Sequence, residues 1–193
     1  ISISSEGAVS LAGGIITNNG LSVVADGTIT DSGAISVSGL GSFDAGTGTN
    51  NITLGDGTTA NFGSLTFTTN GAVAITEADA TTLAGTNKAA SLTLVSAGAI
   101  TDSGSATLAI TNLADFNGSA ITLDNVGGVG HAFGSLTFTT NGAVAIIEAS
   151  ATELAGTNSA NSLALVSAGA ITDSGSATLA ITNLADFNGS AIT

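Results

Sequence analysis

Apolar and polar residues alternate along this chain in short bursts. Leu65 and Phe67 fall on one side, with Ser64, Thr66 and Thr68 on the other. Val73 and Ile75, Leu92 and Leu94, Leu108 and Ile110, and Ile121 and Leu123 repeat the arrangement. A period of two over short stretches predicts strands with one buried face. The bursts are separated by Asn19-Gly20, Asp26-Gly27, Asp56-Gly57, Asn70-Gly71, Asn117-Gly118, Asn141-Gly142 and Asn188-Gly189, and Asp-Ser-Gly recurs at Asp31, Asp102 and Asp173. Asn, Asp and Gly accept positive φ at little cost, so these sites are expected to be corners.

The pattern is copied at long range. Phe62-Gly63-Ser64-Leu65-Thr66-Phe67 returns as Phe133-Gly134-Ser135-Leu136-Thr137-Phe138, an offset of 71 in the numbering. Of the 61 aligned pairs up to Thr193, six differ: Thr76/Ile147, Asp79/Ser150, Thr82/Glu153, Lys88/Ser159, Ala90/Asn161 and Thr93/Ala164. Residues 1–61 are a diverged, shortened version of the unit. Leu21–Gly33 matches Leu92–Gly104 at an offset of 71, Asn51–Leu54 matches Ala120–Leu123 at 69, and Glu6–Val9 matches Asn70–Val73 at 64. Length changes of this kind fall naturally in turns. The chain therefore divides into 1–61, a superunit at 62–132 and its truncated copy at 133–193, with no break in composition between them.

Two architectures use short strands with glycine corners: a sandwich of hairpins, which Asn-Gly favours locally, and a parallel β-solenoid, which a fixed long period favours. The expected fold is all-β, a β-solenoid with about three strands per coil. Three coils of roughly 24 residues per superunit is the simplest division, and a four-coil division also fits. At ~4.8 Å per coil the chain would form a rod on the order of 40 Å long. The six substitutions agree with this assignment. Positions 76 and 93 have outward parity, and no substitution replaces an inward apolar residue.

Composition narrows the classes of partner. Pro, Cys, Met, Trp and Tyr are absent, Lys88 is the single Lys or Arg, and the formal net charge is −13. Richness in Ile, Val, Thr and Leu argues for ordered β-structure rather than disorder. One lysine cannot supply the basic cluster that nucleic-acid binding needs, and an anionic membrane would repel the chain. No apolar run approaches the roughly 20 residues of a membrane helix. The aromatic girdles of a membrane barrel have no Trp or Tyr to build them, so no membrane insertion is expected. No disulfide or thiol chemistry exists without cysteine. No signal peptide is visible, and both ends, Ile1 and Thr193, are expected to belong to something longer.

Candidate chemistry is sparse. His131 is the only histidine, aligns with Ala60 one unit earlier, and follows the glycine turn Gly127-Gly128-Val129-Gly130. A Ser-His-Asp triad would have to use it, but a flexible turn is a poor setting. A zinc site wants more His or Cys than the chain has. The glycine turn resembles the start of a glycine-rich calcium repeat, but His131-Ala132 follows where an aspartate should be. Asp115 with Asp124, or Asp31 with Asp44, could meet on stacked coils, although a solvated acidic surface is the simpler reading. Pectin-cleaving β-helices share the expected shape but need basic residues around an anionic substrate. Phe62, Phe116, Phe133 and Phe187 sit beside Gly or Asn near corners, where they would serve as corner packing or as sugar platforms. Outward threonines such as Thr28, Thr30, Thr66, Thr68, Thr137 and Thr139 would order ice only if the array recurred on every coil. They read as ordinary β-formers. No catalytic, cofactor-binding or metal-binding residue is assigned, and the chain is not expected to be an enzyme.

Ser91–Gly104 and Ser119–Asn125 resemble the repeats of very large bacterial surface proteins, the filamentous-haemagglutinin-type adhesins exported by two-partner secretion. The resemblance covers essentially the whole chain and is one of repeat style. It implies a right-handed parallel β-helix shaft, an extracellular or cell-surface location, and a role in attachment or filament building. It carries over no active-site residue. The expected function is a structural shaft segment of a secreted or surface fibre that self-associates along its axis and meets a host or matrix glycan or protein. A glycan-binding adhesin surface or an ice-binding solenoid is the alternative.

Overall fold

The computed structural model of the chain describes residues 1–124 and 130–193. Among these there are 23 strands and no helix, so no helix is long and apolar enough to cross a membrane. Every strand pairing is parallel, which removes the hairpin alternative. Between the first and last coils, the described strands hydrogen-bond to one about a coil earlier and one about a coil later. The protein is a parallel β-solenoid of about nine coils with about three strands per coil.

The coils are shorter than the alternation suggests. Val73, Leu92, Ala114 and Leu136 stack directly on one another, so three coils carry the chain from position 73 to position 136, roughly 21 residues per coil. The sequence equivalent of Val73 is Val144, which lies further along the chain than Leu136. It stacks on a different column, Thr81, Ile100, Ile121, Val144 and Leu163. A superunit therefore spans three coils and one additional face. The alternating bursts do not mark where a coil closes, because two of them can belong to one strand. Ile35–Asp44 and Thr107–Asn117 each run unbroken round a corner, with a register shift between Val37 and Leu40 and between Ile110 and Leu113.

The inward parity is as the alternation predicts. Leu65, Phe67, Val73, Ile75, Leu92, Leu94, Leu108, Ile110, Ile121 and Leu123 are all buried. The largest side chains stack in register, Val23 under Phe43 under Phe67 and Leu94 under Phe116 under Phe138. Successive coils thus bury each other's apolar face, which no coil could do alone. None of the six substituted positions is buried in either copy, and residues 76, 93, 147 and 164 are exposed.

Glycines at the corners serve a different purpose from the one expected. Of the Asn-Gly and Asp-Gly glycines, only Gly57 has positive φ, at 86°. At Gly71 and Gly142 the constraint is stacking: a Cβ would lie 2.2 Å from the Asn50 carbonyl oxygen and 2.1 Å from that of Ser119, both in the coil below.

Candidate functional site

Inward polar residues are the chemically distinctive feature of the core. They lie at corners, where the backbone ladder shifts and leaves an amide without a carbonyl opposite it. A buried N–H without a partner is costly, so a side chain takes the carbonyl's place. Glu77 Oε1 accepts from the Phe62 amide at 2.8 Å, and Glu148 Oε1 accepts from the Phe133 amide at 2.9 Å. At a second corner Asn87 Oδ1 accepts from the Phe67 amide and Asn158 Oδ1 from the Phe138 amide, at 3.1 and 3.0 Å. Asn87 Nδ2 donates to the carbonyls of Ala84 at 2.9 Å and Thr107 at 3.3 Å, tying three coils together. Each pair is one superunit apart, so the device is copied with the repeat.

Burial raises both carboxyls. That of Glu77 is pushed up to about 7, mainly by loss of water, with Asp79 adding to the rise and the Phe62 amide opposing it. Its Oε2 has no hydrogen-bond partner. Glu148 is also raised by burial, opposed by bonds from Thr152 at 2.6 Å, the Phe133 amide and Ser150 at 2.9 Å. Both carboxyls are sealed in the wall, each 1% exposed, out of reach of a substrate.

His131 is fully buried, against the expectation of a turn residue. It pairs with Glu148 across a parallel bridge and stacks on Phe133 at 6.1 Å. Its Nε2 lies 3.4 Å from Asp102 Oδ2, too long for a good hydrogen bond, and neither ring nitrogen has a partner among the described residues. Burial holds the imidazole below its ordinary value, with Asp102 pulling the other way. The preceding turn, Gly127-Gly128-Val129, lies outside the described residues, as does Asn125. One unit earlier Asp31, the equivalent of Asp102, accepts instead from the Gly55 amide at 2.9 Å and from the Thr58 hydroxyl.

The other sequence candidates separate. Asp115 stacks between Thr93 and Thr137, whereas Asp124 follows the strand on the next face. Asp31 is occupied by Gly55 and Thr58, and Asp44 accepts from the Gly46 amide at 2.9 Å. Among the described residues no three His, Asp or Glu side chains gather as a metal site. Phe62, Phe116 and Phe133 are buried, paired edge-on as Phe43–Phe62 and Phe116–Phe133 at 5.4 and 5.7 Å. They pack corners and offer no ring face to a sugar, and Phe187 is half-buried in the last coil. Outward threonines stack as Thr82–Thr101–Thr122, but Ala145, Ala164 and Asp186 continue the column. A shallow dent beside Phe133, lined by Ala109 and Ala132, has its equivalent beside Phe62, lined there by Ser36, Asn61 and Asp79. One dent is apolar and the other polar, so no single ligand chemistry fits both.

Sequence reasoning passed over Glu77, Glu148, Asn87 and Asn158. Parity could have found them, since Glu77 shares the inward parity of Val73 and Ile75 and all four are unchanged between copies.

The fold and its copied polar corners define a repeat protein of the parallel β-solenoid class. The chain belongs to a family described as repeats of unknown function (DUF5649), which matches residues 1–69 and again 70–140. No curated protein and no solved structure matches it.

Proposed function

We propose that the protein is a non-enzymatic structural shaft, a segment of a secreted or cell-surface bacterial fibre whose role is length, stiffness and durability. The observation that carries this reading is the continuous core. Buried apolar residues run from Leu11 to Ile171 as one cluster, and the inward Asn87 and Asn158 are engaged by neighbouring coils. Backbone hydrogen bonds run along the axis, so pulling on the rod or adding a coil uses the same interaction repeatedly. Extracellular placement follows the adhesin-like repeat style, and durability suits it. Lys88, the one tryptic site, lies within the strand Thr86–Ala89, bonded to the coils on either side. Attachment to a glycan or protein would be carried by other parts of such a fibre, since the aromatic corners here face inward.

Electron microscopy of the native material tests the reading. A thin fibre is expected, one coil adding about 4.8 Å of length. Compact particles would overturn it.

A further inference from the structure

One of the six differences between the copies, Asp79/Ser150, falls beside a buried carboxyl. In the second copy Glu148 receives three donors. The Phe133 amide and the Ser150 hydroxyl reach Oε1, both at 2.9 Å, and the Thr152 hydroxyl reaches Oε2 at 2.6 Å. Three donors round two oxygens suit an ionised carboxylate. In the first copy Glu77 is left, among the described residues, with the Phe62 amide at 2.8 Å. Asp79 stands where Ser150 would be, and an ionised carboxylate has no proton to donate. Glu77 Oε2 and Thr81 Oγ1, the counterparts of the bonded pair Glu148–Thr152, both lack a partner.

A third unpaired atom lies at the same corner. Asn61 Oδ1 is buried with no partner, where the second copy has Ala132. Asn61, Phe62 and Asp79 line one dent together with Ser36 and Ser38, so solvent stands over the corner that holds Glu77. The charges around it are all of one sign. Ile52–Leu54 below, Ser91–Ser96 above, Ala60–Thr68 beside it and Thr81–Leu83 after it contain no charged residue. Asp79 and Asp56 on the adjoining turns, Asp31 bonded to the Gly55 amide, and Asp102 stacked on Leu83 are all acids. Lys88 stacks on Thr68, at the far end of Ala60–Thr68. Repulsion from Asp79 adds to the burial that raises Glu77, whereas the Ser150 hydroxyl opposes the rise of Glu148.

We propose that the Glu77 corner is a pH-sensitive joint, closed by one proton on Glu77 Oε2 shared with Thr81 Oγ1 and opened when that proton is lost. Opening is a plain deprotonation: the proton passes to water entering through the dent, and the bonding pair stays on Oε2. The charge left behind has too few donors inside the wall, so the carboxylate turns toward water and the Phe62 amide loses its acceptor. The Glu148 corner needs no proton, because Ser150 and Thr152 supply the donors, and it stays closed over the same pH range. Duplication has thus left one responsive corner and one fixed corner in closely matching coils. The joint is a property of the coils and stands apart from the shaft reading, to which it adds a local response to pH.

Amide hydrogen exchange of the full chain, followed by NMR at about pH 5 and about pH 8 and corrected for the intrinsic rates, tests the joint. Protection of the Phe62 amide is expected to fall, relative to that of the Phe133 amide, by more than about tenfold across this range. Asp79→Ser installs the residue that the second copy already carries at an exposed position, and is expected to remove most of that fall. Ser150→Asp is expected to give the Phe133 amide the same pH dependence as Phe62. Carboxyl-carbon shifts supply a second measurement that needs no opening. Glu77 is expected to release its proton at higher pH than Glu148, and the gap to narrow in Asp79→Ser. Parallel loss of protection at Phe62 and Phe133 in the parent chain overturns the proposal. So does a fall at Phe62 that Asp79→Ser leaves unchanged, or proton release from Glu77 at or below the pH of Glu148.

Discussion

Val73 and Val144 hold the same place in the sequence repeat and stand on different faces of the solenoid. Val73 continues upward into Leu92 and Ala114, Val144 downward into Ile121 and Ile100. Each superunit is turned to the other stack relative to the last, and two superunits bring the sequence back: Leu21 and Leu163 stand in one stack of strands and their shared equivalent Leu92 in another. An outward residue copied by duplication is thereby divided between the stacks: Thr66 lies above Ser42 on one face, and its equivalent Thr137 above Asp115 on the next. A uniform threonine array on one side cannot arise from this repeat, which weighs against the ice-binding alternative on geometric grounds.

The buried carboxyls make stability rise toward acid pH. Glu77 is pushed up to about 7 in the folded chain from 4.5, so between those values the folded state holds more protons than the unfolded one. Its contribution is fully present below about pH 4.5 and is lost as pH rises through about 7. A shift of that size is worth on the order of 3 kcal/mol. Glu77→Gln, a neutral stand-in for the protonated acid, is expected to melt higher than the parent at pH 8 and alike at pH 4.5. Thermal melts of the pair from pH 4.5 to 8 check this, and their difference cancels the opposite contribution of His131. A gap between the melting points that does not change with pH would rule the assignment out.

Parity separates harmful from harmless substitutions. Phe67→Ala empties a fully buried position between Phe43 and the coil above and is expected to cost about 3–5 kcal/mol. Thr76→Ile puts into the first copy the residue that Ile147 already supplies in the second, on an exposed position, and should stay within about 0.5 kcal/mol of the parent. Urea titration of both variants measures the contrast.

Two corner glycines should respond differently to alanine. At Gly71 the new methyl would press on the Asn50 carbonyl 2.2 Å away, a backbone atom held by stacking, and a loss of more than about 2 kcal/mol is expected. At Gly57 nothing lies within 4 Å and only the φ of 86° resists, so about 1 kcal/mol is expected. Equal losses in the two variants would show that the close approach at Gly71 does not hold.

Asn87 should tolerate no apolar replacement. Asn87→Leu keeps the volume but strands the Phe67 amide and removes the Asn87 donor from the Thr107 carbonyl, while the Ala84 carbonyl keeps the Thr66 hydroxyl; a buried group left without its partner costs about 1–3 kcal/mol. Hydrogen exchange is the most direct readout, with the Phe67 amide expected to lose protection before its neighbours.

The strands, their inward residues and the solenoid class were legible in the amino-acid order. Side-chain direction in a strand alternates regardless of what surrounds it, so Leu65, Phe67, Leu92 and Leu94 announce the core by parity alone, and the copied unit announces stacking. Coil length was decided by the tertiary structure. Whether Thr107–Asn117 is two strands or one bent strand depends on how the coils beneath it turn. That choice sets both the length of a coil and the one-face rotation of Val144 from Val73. The roles of Glu77, Asn87 and His131 were decided there as well. A polar residue at an inward position has meaning only once the ladder around it shows which amide has lost its carbonyl, and that accounting is made between coils rather than along the chain.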